Sequence, residues 1–160
     1  MSHPSAVWIT GVGTATPLGN SYADFADHLL AGRSGVDRVQ RFDVSEHPSQ
    51  IAGQLGEVPC PPDVDAEEFG RLHRLEQLMR WCCIGALRDA GWWERRQEVR
   101  IGVALGVGAE WLEVWEADAL AGGRRVWQPE QDVESMIGRT RRVLGPVSYT
   151  HLTLPTILRV

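Results

Sequence analysis

Two glycine pairs, each directly after a predicted strand, are the first residues of this 160-residue chain to suggest chemistry. In the G-x-G-x-x-G fingerprint of dinucleotide sites, such glycines let the backbone approach a phosphate closely. The first pair is Gly11 and Gly13, but Thr16 stands where the fingerprint needs its third glycine, and Pro17 follows instead of a helix. The spacing therefore does not favour a nucleotide site.

The second pair, Gly106 and Gly108, follows a strand and opens a predicted helix, a geometry that can hold an anion. Glu110 and Glu113 lie in the first turn of that helix and would repel an anion. The preferred interpretation is that small residues here let the backbone pass close to packed neighbours or to a ligand chain.

Three cysteines are the candidate nucleophiles. Cys82 and Cys83 are adjacent, so they lack the Cys-x-x-Cys spacing of a zinc site, and Cys60 makes the count odd. Cys82 and Cys83 fall in the middle of a predicted apolar helix face, where thiols stay protonated and pack as small hydrophobes. We therefore interpret them as packing residues.

The five histidines do not form a recognisable site. They are scattered at positions 3, 28, 47, 73 and 151, and His73 is expected to be solvated on the surface of a long helix. No Gly-x-Ser-x-Gly elbow is present for a Ser–His–Asp triad. The residue types alone predict no metal, no cofactor and no complete active site.

Composition narrows the functional classes. The net charge is −5, which argues against a nucleic acid or an anionic membrane as the main partner. All 16 basic residues are arginines, so no Schiff-base or lysine general-base chemistry can come from this chain. Residues 1–5 lack the features of a signal peptide, and we expect a cytoplasmic protein.

Hydrophobic periodicity and turn residues predict strands alternating with helices. The predicted elements are a buried strand at 6–13, a helix from Asn20 or Ser21 to Leu30 that ends at Gly32, a short strand at 50–55, an acidic surface loop at 58–65, a long helix from Phe69 to Gly91 with a wide apolar stripe, a strand at 99–106, and helices at about 109–120 and 130–143. Trp8, Trp81, Trp111 and Trp115 fall on apolar faces and are expected in the core. The pattern predicts a layered α/β core with parallel strands.

Six segments occur in an order that resembles the β-ketoacyl-acyl-carrier-protein synthases. They are VWITGVGTATPLGN at 7–20, LLAGRSGV at 29–36, RFD and IAG at 41–43 and 51–53, the helix end ALRDAG at 86–91, and the strand RIGVALGVG at 100–108. The resemblance covers residues 6–145.

The resemblance implies a fold class and a reaction. The fold would be the incomplete N-terminal half of a thiolase-like layered α-β-α-β-α sandwich. The reaction would be a decarboxylative Claisen condensation, in which a malonyl unit on acyl carrier protein extends an acyl chain held as a cysteine thioester. The intact parent would bind acyl carrier protein and acyl thioesters and form a homodimer.

The family's catalytic cysteine, two histidines and lysine would lie beyond Gly145 and Pro146, so the resemblance assigns no catalytic residue to this chain. Residues 1–146 are therefore predicted to be a partial ketoacyl synthase region, inactive alone. Gly106, Gly108 and Ala109 resemble a segment that lines the acyl pocket, and the small Ala109 would admit a longer chain.

Residues 147–160 do not resemble the family. They resemble the translated read-through of a sequencing adapter, and the alternative is a genuine divergent strand in which Leu152 and Leu154 alternate with threonines. We expect the chain by itself to be poorly soluble or molten.

Two functional classes remain open for the intact parent protein. The parent is either a condensing enzyme or a non-catalytic chain-length-factor-like partner that lost its cysteine. A small stand-alone module that binds an acidic carrier is disfavoured, because no basic face is evident.

Overall fold

The computed structural model describes residues 6–107, 119–120, 122, 139–140, 142–145 and 147–153. The chain divides into two compact units, Met1–Glu94 and Arg95–Val160, and each is described by itself.

Helix α1 spans Tyr22–Leu30 and confirms the predicted helix at both ends. The Ser21 hydroxyl accepts a hydrogen bond from the Asp24 amide, which satisfies one of the unpaired donors of the first turn. Gly32 follows the C-cap with φ +68°, a left-handed conformation that glycine adopts without steric cost.

A small antiparallel strand pair follows α1. Strand β1 spans Val36–Arg38 and strand β2 spans Ile51–Gly53, with Asp37 opposite Ala52. Strand β2 confirms the short strand predicted at 50–55, although it is shorter. Both Val36 and Ile51 are more than half exposed.

The long helix predicted from Phe69 to Gly91 is two helices in the structure. Helix α2 spans Ala66–Gly70, and helix α3 spans Arg74–Asp89. His73 separates them because its backbone is extended, with ψ 144°, and its ring accepts a hydrogen bond from the Leu75 amide at the start of α3. The exposed His73 is thus the N-cap of a helix, a role beyond the predicted solvated one.

The buried face of α3 also differs from the predicted stripe. Its most buried residues are Glu76, Arg80 and Ile84, whereas the expected apolar residues of the helix are half-buried. Two segments contact α3: residues 11–14, and the connection 54–68, which includes the first residues of α2. No single apolar stripe therefore faces one core.

The predicted strand at 6–13 is not a strand in the structure. The backbone runs without regular secondary structure, and Val7, Trp8 and Ile9 are 95%, 80% and 88% exposed. None of the described strands pairs with this segment, so its backbone lacks the ladder that defines a strand. The expectation that Trp8 lies in the core is wrong for the same reason.

The second unit contains a parallel strand pair. Strand β3 spans Ile101–Val107 and strand β4 spans Val147–Thr153, with Ile101 opposite Val147 and Val107 opposite Thr153. This confirms the predicted strand at 99–106, and its parallel partner lies within residues 147–160, which do not resemble the family. The predicted helices at 109–120 and 130–143 lie mostly outside the described residues, as do Trp111 and Trp115.

Candidate functional site

The candidate acyl-pocket segment begins in β3. Gly106 lies in this strand, paired with Leu152 of β4, while Gly108 and Ala109 lie outside the described residues. Because β3 and β4 are parallel, their carboxyl ends meet at one edge of the sheet, which is where α/β folds bind ligands. The assignment of these three residues to an acyl pocket remains a prediction.

The thiols of α3 have the chemistry expected of packing residues. Cys82 and Cys83 lie in the middle of the helix, away from its N-terminus, where backbone amides would stabilise a thiolate. Burial raises the pKa of Cys82. Burial, with a smaller contribution from Cys82, raises the pKa of Cys83 to about 11. Both groups are therefore protonated at neutral pH and are poor nucleophiles.

The third thiol, Cys60, lies in the connection before α2. Its sulfur is 3.5 Å from the carbonyl oxygens of both Pro61 and Val64, to which it donates. Both carbonyl oxygens accept a hydrogen bond from the thiol. All three cysteines of the chain lie among the described residues, and none is positioned as an activated nucleophile.

Gly11 and Gly13 serve close packing and form no phosphate loop. A Cβ atom built on Gly13 would lie 1.9 Å from the carbonyl oxygen of Cys82, and one on Gly11 would lie 2.3 Å from that of Ala86. Residues 11–13 therefore lie directly against the backbone of α3. Gly11 and Gly13 thus let two backbone segments pass close to each other, which is the role expected above of Gly106 and Gly108.

Two side chains of α3 hold this segment in place. The Asp89 carboxylate accepts a hydrogen bond of 2.8 Å from the Val12 amide. The Trp81 indole N–H is shared between the carbonyl oxygens of Thr14, at 3.0 Å, and Asn20, at 2.8 Å. The sequence places Trp81 on an apolar face but does not indicate this polar role, because both acceptors are more than 60 residues away.

Three arginines of α3 bind the connection 54–68. Arg74 donates to the carbonyl oxygens of Leu55 and Gly56, at 2.9 and 2.6 Å. Arg88 donates to the Pro62 carbonyl, at 2.6 Å, and to the Asp63 carboxylate, at 2.7 Å.

The third arginine, Arg80, is 2% exposed and pairs with the Glu68 carboxylate of α2 at 3.1 Å. Within the described residues its Nε atom has no hydrogen-bond partner. The sequence does not indicate this buried charge, since a charged residue between apolar ones normally marks the solvated edge of a helix.

Neither a cluster of possible metal ligands nor a helix suited to cross a bilayer occurs among the described residues. Among them, no group of three His, Cys, Asp or Glu side chains converges on a common point. His28, for example, contacts the Leu18 carbonyl oxygen through Nδ1. None of the described helices is both long and apolar enough to cross a bilayer.

The fold defines the class of protein. The structure is similar to that of the ishigamide ketosynthase/chain length factor, with a TM-score of 0.62 and 22% identity, over 91% of this chain and 39% of that one. The chain therefore has an incomplete α/β architecture of the thiolase-like ketosynthase fold, as predicted.

Sequence comparison identifies the family. Residues 5–147 match the profile "Beta-ketoacyl synthase, N-terminal domain", and the chain belongs to this family. It is 33% identical to 3-oxoacyl-[acyl-carrier-protein] synthase 2 of Coxiella burnetii, over 75% of the chain and 30% of that protein. It is 31% identical to the tetracenomycin polyketide synthase ketoacyl synthase beta subunit of Streptomyces glaucescens, over 71% of the chain and 28% of that protein. The match thus spans less than a third of the length of either relative.

Proposed function

We propose that this chain is part of a 3-oxoacyl-[acyl-carrier-protein] synthase that extends acyl chains by decarboxylative Claisen condensation. The observation that carries the proposal is the family match over residues 5–147, together with the similarity to synthases of that name. The parent would take acyl thioesters and acyl carrier protein as substrates, act as a homodimer and work in the cytoplasm, where its three free thiols would stay reduced.

The chain as printed is proposed to be inactive. Condensation requires a thiolate to accept the acyl group, and Cys82 and Cys83 are protonated at neutral pH while Cys60 donates to two carbonyl oxygens. The experiment is to incubate residues 1–160 with a radiolabelled acyl-carrier-protein thioester and measure protein-bound label. No hydroxylamine-sensitive label is expected, and a labelled thioester on any of the three cysteines would overturn the proposal.

A second candidate function is a non-catalytic, chain-length-factor-like partner subunit. The relatives that favour it are the polyketide synthase beta subunit and the ketosynthase/chain length factor structure. The two functions differ at the position of the nucleophile, beyond Pro146. Sequencing the source gene past this codon and assaying the encoded protein distinguishes them: a cysteine with condensing activity supports the synthase, and a substituted residue without activity supports the partner.

Residues 147–160 are proposed to be foreign to the family. The family match ends at residue 147, where strand β4 begins. The pairing of β4 with β3 does not decide the origin of the sequence, because any extended segment can form backbone hydrogen bonds with a strand edge. The same sequencing tests this: recovery of this tail from independent genomic DNA would contradict the proposal.

Gly106, Gly108 and Ala109 are proposed to line the acyl pocket, with Ala109 setting the chain length that fits. In the full-length parent, Ala109→Phe should shift product length towards shorter acyl chains, because the ring would fill space that the methyl group leaves open. Ala119→Phe is the control, since Ala119 is exposed. An unchanged chain-length preference in the Ala109 variant would refute this role.

A further inference from the structure

We draw no further inference here: the strongest candidate, the exposed apolar segment at residues 7–9 that precedes the glycines packed on helix α3, pairs with none of the described strands, and nothing in the structure shows what covers it.

Discussion

At the scale of single residues, neighbouring glutamates of helix α2 form ion pairs that differ in burial. Glu67 pairs with Arg71, and both side chains are about three-quarters exposed. Glu68 pairs with Arg80, and although the Glu68 side chain is 62% exposed, that of Arg80 is only 2% exposed. An exposed ion pair contributes little to the free energy of unfolding, because water screens its charges. Loss of Glu68, in contrast, would leave the buried guanidinium of Arg80 without its charged partner.

We therefore expect Glu68→Ala to destabilise the packing of α2 on α3 by about 1–3 kcal/mol, and Glu67→Ala by about 0.3–0.5 kcal/mol. Both residues lie in the first turn of α2, so their interactions with the helix dipole are closely matched. The measurement is amide hydrogen exchange across α2 and α3 at low protein concentration. Equal effects of the two substitutions would contradict the structural role of Arg80.

The thiol of Cys83 provides a pH-dependent test. Iodoacetamide reacts with thiolates, and with a pKa of about 11 the thiolate fraction of Cys83 rises about tenfold for each pH unit between 7 and 10. We expect its alkylation rate to rise in the same proportion, measured by tandem mass spectrometry that locates the label on Cys83 and separates it from label on Cys60 and Cys82. Rapid labelling at pH 7 would show that the thiol is not buried as described.

The raised pKa of Cys83 also makes the stability of the folded chain depend on pH. The ordinary pKa of the thiol is 9.0, and burial raises it in the folded chain, so the unfolded chain releases this proton first as the pH rises. The contribution of the protonated thiol to stability is complete below pH 9 and is lost as the pH rises towards 11.

At the scale of elements, the packing of residues 11–14 on helix α3 depends on the absence of side chains. Gly13→Ala would place a methyl group 1.9 Å from the Cys82 carbonyl oxygen, which the helix backbone cannot accommodate without moving. We expect a cost of about 1–3 kcal/mol, as in other overpacked contacts, and faster hydrogen exchange in the middle of α3.

Gly56→Ala is the matched control for this substitution. A Cβ atom at Gly56 would meet nothing within 4 Å, and its backbone is not in the left-handed region. Its effect on stability should stay within about 1 kcal/mol. If Gly13→Ala were as mild as Gly56→Ala, the close approach of the segment to α3 would be wrong.

At the scale of the whole molecule, the exposed apolar surface determines how the chain behaves in solution. Residues 7–9 present three consecutive large apolar side chains on a backbone that pairs with none of the described strands, a combination that favours association between chains. We expect residues 1–160 to be poorly soluble or molten and to scatter light increasingly with concentration.

Two lysine substitutions test the origin of this behaviour. Ile9→Lys adds a charge within the unpaired segment, and Leu30→Lys adds one at a similarly exposed residue of α1. Light scattering should fall more for Ile9→Lys, because Leu30 belongs to a helix whose backbone is already hydrogen-bonded. A soluble wild-type monomer with a single cooperative thermal transition would contradict the prediction.

Local signals predicted much of the fold but little of the side-chain network. The cap at Ser21, the left-handed Gly32 and the apolar strand at 101–107 follow from neighbouring residues, so they could be predicted. The break at His73 could not, because an N-cap histidine lacks the usual signature of Ser, Thr, Asp or Asn. For the candidate site, the sequence predicted protonated thiols, while Trp81, Asp89 and Arg80 acquired their partners only through long-range contacts.

The family, helix α1, strands β2 and β3, and the assignment of Cys82 and Cys83 to packing could all be inferred from the amino-acid sequence. These depend on residue type and on spacing within one element. Long-range packing established that residues 6–13 pair with no described strand, that Arg80 is buried, and that Gly11 and Gly13 contact a helix backbone. Strand pairing and burial depend on segments distant along the chain, whose arrangement no local pattern specifies.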